Sequence, residues 1–199
     1  MNRLFYGDNL GVLRNRRDFP DESVDLIYLD PPFNSNKSYN VLFQHKSGEG
    51  SRGQIEAFGD TWRWGPEADE LYEQTIETAT PRVVDALTAF RRLLGTNDML
   101  AYIVMMTPRL TELKRVLKST GTLFLHCDPT ASHYLKALLD AVFGPERFGN
   151  EIIWAYKYGS KDHFGRKHDV IPGRTTGTSP YSGRRGNGWR APCLRFSDL

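Results

Sequence analysis

Val24-Asp25-Leu26-Ile27-Tyr28-Leu29-Asp30-Pro31-Pro32-Phe33 says more about the architecture of this chain than any other stretch. Val24–Leu29 is a nearly continuous apolar run, the pattern of a strand buried on both faces of a parallel sheet. It ends in an acid, and in open α/β sheets ligands bind just outside the carboxyl ends of the strands, so Asp30 stands where chemistry is expected. Pro31 and Pro32 fix two successive φ angles and carry no N–H, so this backbone offers only carbonyl acceptors. Phe33 adds a flat apolar face beside them. A rigid cluster of acceptors next to an aromatic ring suits an exocyclic amino group on a planar, stackable ring.

On the amino side of this stretch, Leu4-Phe5-Tyr6 reads as a short strand, Asn9–Arg17 as a helix with Leu10 and Leu13 on one face, and Pro20-Asp21-Glu22-Ser23 as a turn. On the other side, residues 34–65 are rich in Asn, Ser, Gly and Lys without periodicity and read as a long loop carrying Trp62 and Trp64. Helices follow from Pro66, broken at Pro81 and stopped at Gly95. Asn97 or Asp98 caps the next helix, which runs to about Ser119 with a kink or split expected at Pro108. Thr122–His126 is a second apolar strand. Leu135, Leu138, Leu139, Val142 and Phe143 follow helical spacing up to the Gly144-Pro145 stop. Glu151–Tyr156 is a third strand. Strands alternating with helices imply an α/β fold with a mostly parallel, doubly wound sheet.

The 199 residues, 39% hydrophobic, suffice for one compact core. The formal charge of +2 is unevenly spread: residues 161–199 hold eight Lys/Arg against three Asp/Glu, and the rest of the chain 18 against 21. Cys127 and Cys193 are the only cysteines, which points to a reducing, intracellular setting. The polar N-terminus is unlike a signal peptide, and no apolar run nears the ~20 residues of a membrane span. A cytoplasmic protein with no membrane partner is expected.

Asp30-Pro31-Pro32-Phe33 at a strand end resembles the catalytic motif of amino-group DNA methyltransferases. The neighbours make the match specific: Arg3–Leu10 before it, Asn34-Ser35-Asn36 and Tyr39-Asn40 after it, then Leu125–Lys136 and Asn150–Trp154. Together these resemble the permuted class that includes modification subunits of restriction systems, and the resemblance covers roughly residues 2–170. It implies a Rossmann-like, S-adenosylmethionine-dependent fold and methyl transfer to the exocyclic amine of a base flipped out of double-stranded DNA. An acid at the first motif position is more like the adenine enzymes than the cytosine group. Asp30 and the Pro31 carbonyl would accept from the amine, Pro32 would hold the turn rigid, and Phe33 would stack on the base. Asp8 is expected near the adenosine end of the methyl donor, and Trp154 on the target-base side of the cleft. A homodimer or a restriction subunit is the expected protein partner.

The permuted class also carries a glycine-rich cofactor motif after the catalytic one, and no such string follows residue 33. Instead the texture changes at about Ile171 to Gly, Arg, Ser, Thr and Pro without a period. Residues 171–199 are therefore expected to be a disordered tail, and 1–170 a partial catalytic domain. That abrupt change fits a truncated or frame-shifted reading frame, with impaired activity and weak binding of S-adenosylmethionine. The alternative is a catalytically inactive DNA-binding or subunit-interaction remnant. Gly48–Gly53 matches a dinucleotide fingerprint without the flanking strand and helix, and the phosphate loop that an ATPase would require is absent. His126, Cys127 and Asp128 are consecutive, so they point to alternating faces and read as a strand end followed by a turn, not as a metal site.

Overall fold

The computed structural model describes residues 3–32, 62–155 and 168–175 in full, and 37–40, 56–60 and 194–196 by their backbone. Chain order is α1 (Asn9–Arg14), β1 (Val24–Leu29), β2 (Lys37–Asn40), β3 (Glu56–Asp60), α2 (Pro66–Thr78), α3 (Pro81–Leu94), α4 (Asp98–Val116), β4 (Leu117–Leu125), α5 (Pro129–Phe143), a 3-10 turn (Pro145–Arg147), β5 (Phe148–Ala155), β6 (His168–Thr175) and β7 (Leu194–Phe196). The main sheet runs β5-β6-β4-β1-β7, and β2 and β3 form a separate antiparallel pair. β1 is parallel to β4 and to β7, whereas β6 lies antiparallel between β4 and β5. The fold is mixed α/β, as expected, with its parallel part at β4-β1-β7.

The helix limits follow from local chemistry. Pro66 and Pro81 occupy first turns, where a missing N–H costs nothing. Gly95 ends α3 at a φ of 68°, a conformation that L side chains avoid. Asn97 caps α4 by accepting from the Leu100 N–H at 2.9 Å, and Asp128 caps α5 by accepting from that of Ala131 at 3.1 Å. Pro108 does not split α4, which is continuous from Asp98 to Val116. Most of α4 is packed into the core, and this burial outweighs the lost backbone bond.

Three other expectations change. Leu4-Phe5-Tyr6 is not a strand: Leu4 and Tyr6 are exposed, and Phe5 alone packs, against Phe19 with ring centroids 5.2 Å apart. The stretch expected to be a loop contains β2 and β3. Ile171–Thr175, assigned to a disordered tail, form the second half of β6 and are buried, because pairing with both β4 and β5 satisfies their backbone.

Among the described residues, α4 and α5 form a helix layer against the sheet, and α1, α2 and α3 pack onto those two helices. Ile27, Leu29, Leu123, Leu125 and Cys127 point into that layer and are at most 2% exposed. Their alternates Leu26, Tyr28, Thr122 and Phe124 are only half-buried. β1 is therefore not buried equally on both faces; it alternates, with a sealed helix side and a more accessible opposite side.

Arg115 ties the α1–β1 connection to α4. Its guanidinium donates to the Leu13 and Phe19 carbonyls and pairs with Glu112 and Asp21. On the other flank, Arg91 lies 4.4 Å from the Tyr72 ring centroid and 5.6 Å from that of Trp64, and pairs with Asp69 and Glu73. Trp62 and Trp64 pack against the core.

Candidate active site

β1 and β4 are in parallel register with Leu29 opposite Leu125, so the next residues, Asp30 and His126, emerge side by side at the carboxyl ends of their strands. The backbone closes this step: the His126 N–H donates to the Leu29 carbonyl at 2.8 Å. Beyond it, Cys127 and Val170 exchange backbone bonds of 2.9 and 2.8 Å, which seats the start of β6 against the end of β4. Because β6 runs antiparallel, its amino end lies at the carboxyl end of the parallel strands. Asp169 thereby comes diagonal to His126 on the same, less covered face.

The side chains complete the arrangement. Nδ1 of His126 lies 3.2 Å from Oδ1 of Asp30, and Nε2 lies 3.3 Å from Oδ2 of Asp169. The side chains of Asp30, His126 and Asp169 are 33%, 18% and 18% exposed, which shields them from water yet leaves them reachable. The two carboxylates favour the imidazolium: the hydrogen bond with Asp30 is the main cause of a His126 pKa above its ordinary value, with Asp169 adding to it and burial opposing it. Pro31 is buried and Pro32 half-buried directly after Asp30. Phe33 lies outside the described residues.

Trp154 stands opposite Asp169 in the β5–β6 register, on the same face and at the same end of the sheet as Asp30. It is 61% exposed on the outermost strand. Asp30 and Trp154 are thus brought to one end of one face, separated by β4 and β6.

Asp8 stands at the start of α1. Its Oδ1 accepts from the Leu10 N–H at 2.9 Å, capping α1, and from Nη2 of Arg109 at 2.8 Å. Arg109 also donates from Nε to Asn9 at 2.9 Å, so this carboxylate belongs to the seam between α1 and the middle of α4. The side chain of Asp8 remains 63% exposed.

From the sequence, His126 was weighed with Cys127 and Asp128 only as a strand end followed by a turn, and Asp169 was not singled out. His126 carried a usable signal, since it ends a second apolar strand just as Asp30 ends the first. Asp169 carried none, because only the antiparallel insertion of β6 brings it there. Cys127 points to the opposite, helix side; it is fully buried, and burial pushes its thiol up to about 12. Among the described residues, no group of three or more His, Cys, Asp or Glu is placed to hold a metal ion, and no helix is long and apolar enough to cross a membrane.

Known proteins share this arrangement of sequence. A family model described as DNA methylase matches residues 24–172. The type III restriction-modification enzyme StyLTI Mod subunit of Salmonella typhimurium is 27% identical over 156 residues, covering 78% of this chain and 20% of that protein. The type II methyltransferase M.EcaI of Enterobacter cloacae is 35% identical over 173 residues, covering 85% of this chain and 28% of that one. A solved DNA modification methylase from Thermus thermophilus is 17% identical with a TM-score of 0.48, covering 96% of this chain and 56% of that one. The chain thus spans 20% to 28% of the length of these two curated relatives.

Proposed function

The chain belongs to the N6/N4 DNA methylase family, and we propose accordingly that Asp30 and the Pro31 carbonyl bind the exocyclic amine of a base flipped out of double-stranded DNA for methylation, with adenine favoured over cytosine. The observation that carries this reading is the placement of Asp30-Pro31-Pro32 at the carboxyl end of β1, on the less covered face, beside the His126 that binds Asp30.

The chemistry follows from the acceptors. An aromatic amine is a poor nucleophile because its lone pair is delocalised into the ring. Two acceptors arranged about its N–H bonds favour a pyramidal nitrogen and return the lone pair for attack. Proline rigidity means that little reorganisation is needed when the amine arrives. As the new N–C bond forms, the nitrogen gives up one proton, and the Asp30 carboxylate is the base beside it. Phe33 would stack on the base from one side, and Trp154 would line the far side of the cleft.

S-adenosylmethionine is the proposed methyl donor; it supplies a methyl group on a sulfonium, ready for in-line transfer. Asp8 is the described residue that fits a ribose hydroxyl. Its Oδ1 is committed to the α1 cap and Arg109, but its side chain remains exposed. The Mod-subunit relatives favour a restriction subunit as the protein partner.

The test is transfer of tritium from labelled S-adenosylmethionine to unmethylated DNA, with nucleoside analysis of the product. Label in N6-methyladenine that disappears in Asp30→Ala, while DNA affinity persists, supports the reading. Salt-sensitive DNA binding without any transfer would instead leave the chain as a binding module.

A further inference from the structure

We propose that His126 is a positioning residue: as an imidazolium held between Asp30 and Asp169, it fixes which oxygen of the Asp30 carboxylate is left for the amine. This goes beyond the function proposed above and rests on it.

The geometry is specific in three respects. Both ring nitrogens of His126 face carboxylate oxygens, at 3.2 and 3.3 Å. A neutral imidazole has one N–H and could donate to only one of them, whereas the imidazolium donates to both. The two acids also come from different strands: Asp30 follows β1, and Asp169 lies on β6. His126 thus joins the inserted antiparallel strand to the end of the catalytic one. Finally, Oδ1 of Asp30 is the oxygen bound, which leaves Oδ2 as the amine acceptor and limits rotation of the carboxylate.

Among the described residues, the charged groups facing this ring are Asp30 from the β1 end and Asp169 from β6. The Tyr28 ring lies 6.5 Å away on β1. On its own strand the next residue is Cys127, whose thiol stays protonated across the working range. Two acids around one base favour the charged ring, so the clamp is complete below the ordinary histidine value of 6.5. It weakens as pH rises through the raised His126 pKa.

Histidine-selective NMR titration of the purified chain tests the clamp without relying on transfer, the His126 resonance being assigned by its loss in His126→Gln. The expected midpoint lies above 6.5, the ordinary value. It should fall in Asp30→Asn and, by a smaller amount, in Asp169→Asn, both near-isosteric changes that keep the fold testable. A midpoint unmoved by Asp30→Asn overturns the proposal. In the transfer assay, the wild-type rate should decline on the alkaline side in step with that midpoint. His126→Gln should lose that limb and roughly ten- to a hundredfold in kcat, with the KM for DNA unchanged. A variant that keeps both the limb and the wild-type kcat also overturns the proposal. If the wild-type chain transfers no label, the reading of the site fails, and the titration alone decides whether His126 clamps Asp30.

Discussion

The two faces of β6 treat charge in opposite ways. Asp169 points to the less covered face, where it meets His126, and each of these side chains remains 18% exposed. Arg174, five residues on, points into the helix layer and is 0% exposed. It donates from Nη2 to Asp140 at 2.6 Å and to the Lys136 carbonyl at 3.2 Å, and its guanidinium carbon lies 4.7 Å from the Phe148 ring centroid. Nε and Nη1 of Arg174 have no hydrogen-bond partner among the described residues. Burial lowers its pKa, and Asp140 offsets that only in part. One network has an acceptor for each ring donor of His126 and stays within reach of a ligand; the other is sealed and incompletely paired. Strand alternation separates these two environments on one strand.

The strongest challenge to this contrast is Asp140→Ala. Removing the partner of a sealed cation should cost about 3–5 kcal/mol of unfolding free energy, because the charge is then stranded. Urea denaturation measures it, and a loss below about 1 kcal/mol would mean that water reaches Arg174. Arg174→Met comes next and should be neutral or stabilising by about 1–4 kcal/mol, since it removes the desolvation cost and keeps the contact with Phe148. A clear loss of stability in that variant would show the Asp140 pair to be a net gain.

The accessible network predicts a smaller, pH-dependent effect. The folded-state pKa of His126 is raised, so its contribution is fully present below the unfolded value of 6.5 and fades as pH rises through the folded value. Comparing wild type with His126→Gln should give about 1 kcal/mol at about pH 6, shrinking toward zero on the alkaline side. A difference that is flat with pH would assign His126 a packing role only. The smallest effect belongs to an ordinary surface pair. Arg3 and Asp18 lie 2.8 Å apart with side chains 61% and 28% exposed, and Arg3→Ala should change stability by less than about 0.5 kcal/mol.

Much of the frame was legible in the chain because it depends on local chemistry. Pro66, Pro81 and Gly95 mark the ends of α2 and α3, and Asn97 and Asp128 cap α4 and α5, through groups that lie next to the backbone they serve. Asp30 was legible for the same reason: a strand and the acid that ends it are contiguous. Leu4-Phe5-Tyr6 failed because a strand requires a neighbour, and none lies beside it among the described residues. Ile171–Thr175 misled through composition. Gly and Arg in that segment suggest disorder, yet pairing on both sides holds the backbone in β6.

From the order of its residues alone, the chain shows an acid and two prolines closing an apolar strand, and helices with readable caps around it. These are facts of neighbouring residues, and the family resemblance rested on them. What stands next to Asp30 was settled by long-range pairing. His126 lies 96 residues further along the chain and Asp169 another 43, and their approach depends on parallel pairing of β1 with β4 and on β6 entering antiparallel beside them. Register across strands carries no local signature, because it is set by which edges pair. Asp30 at its strand end could therefore be read from the chain, but its approach to His126 and, through it, to Asp169 could not.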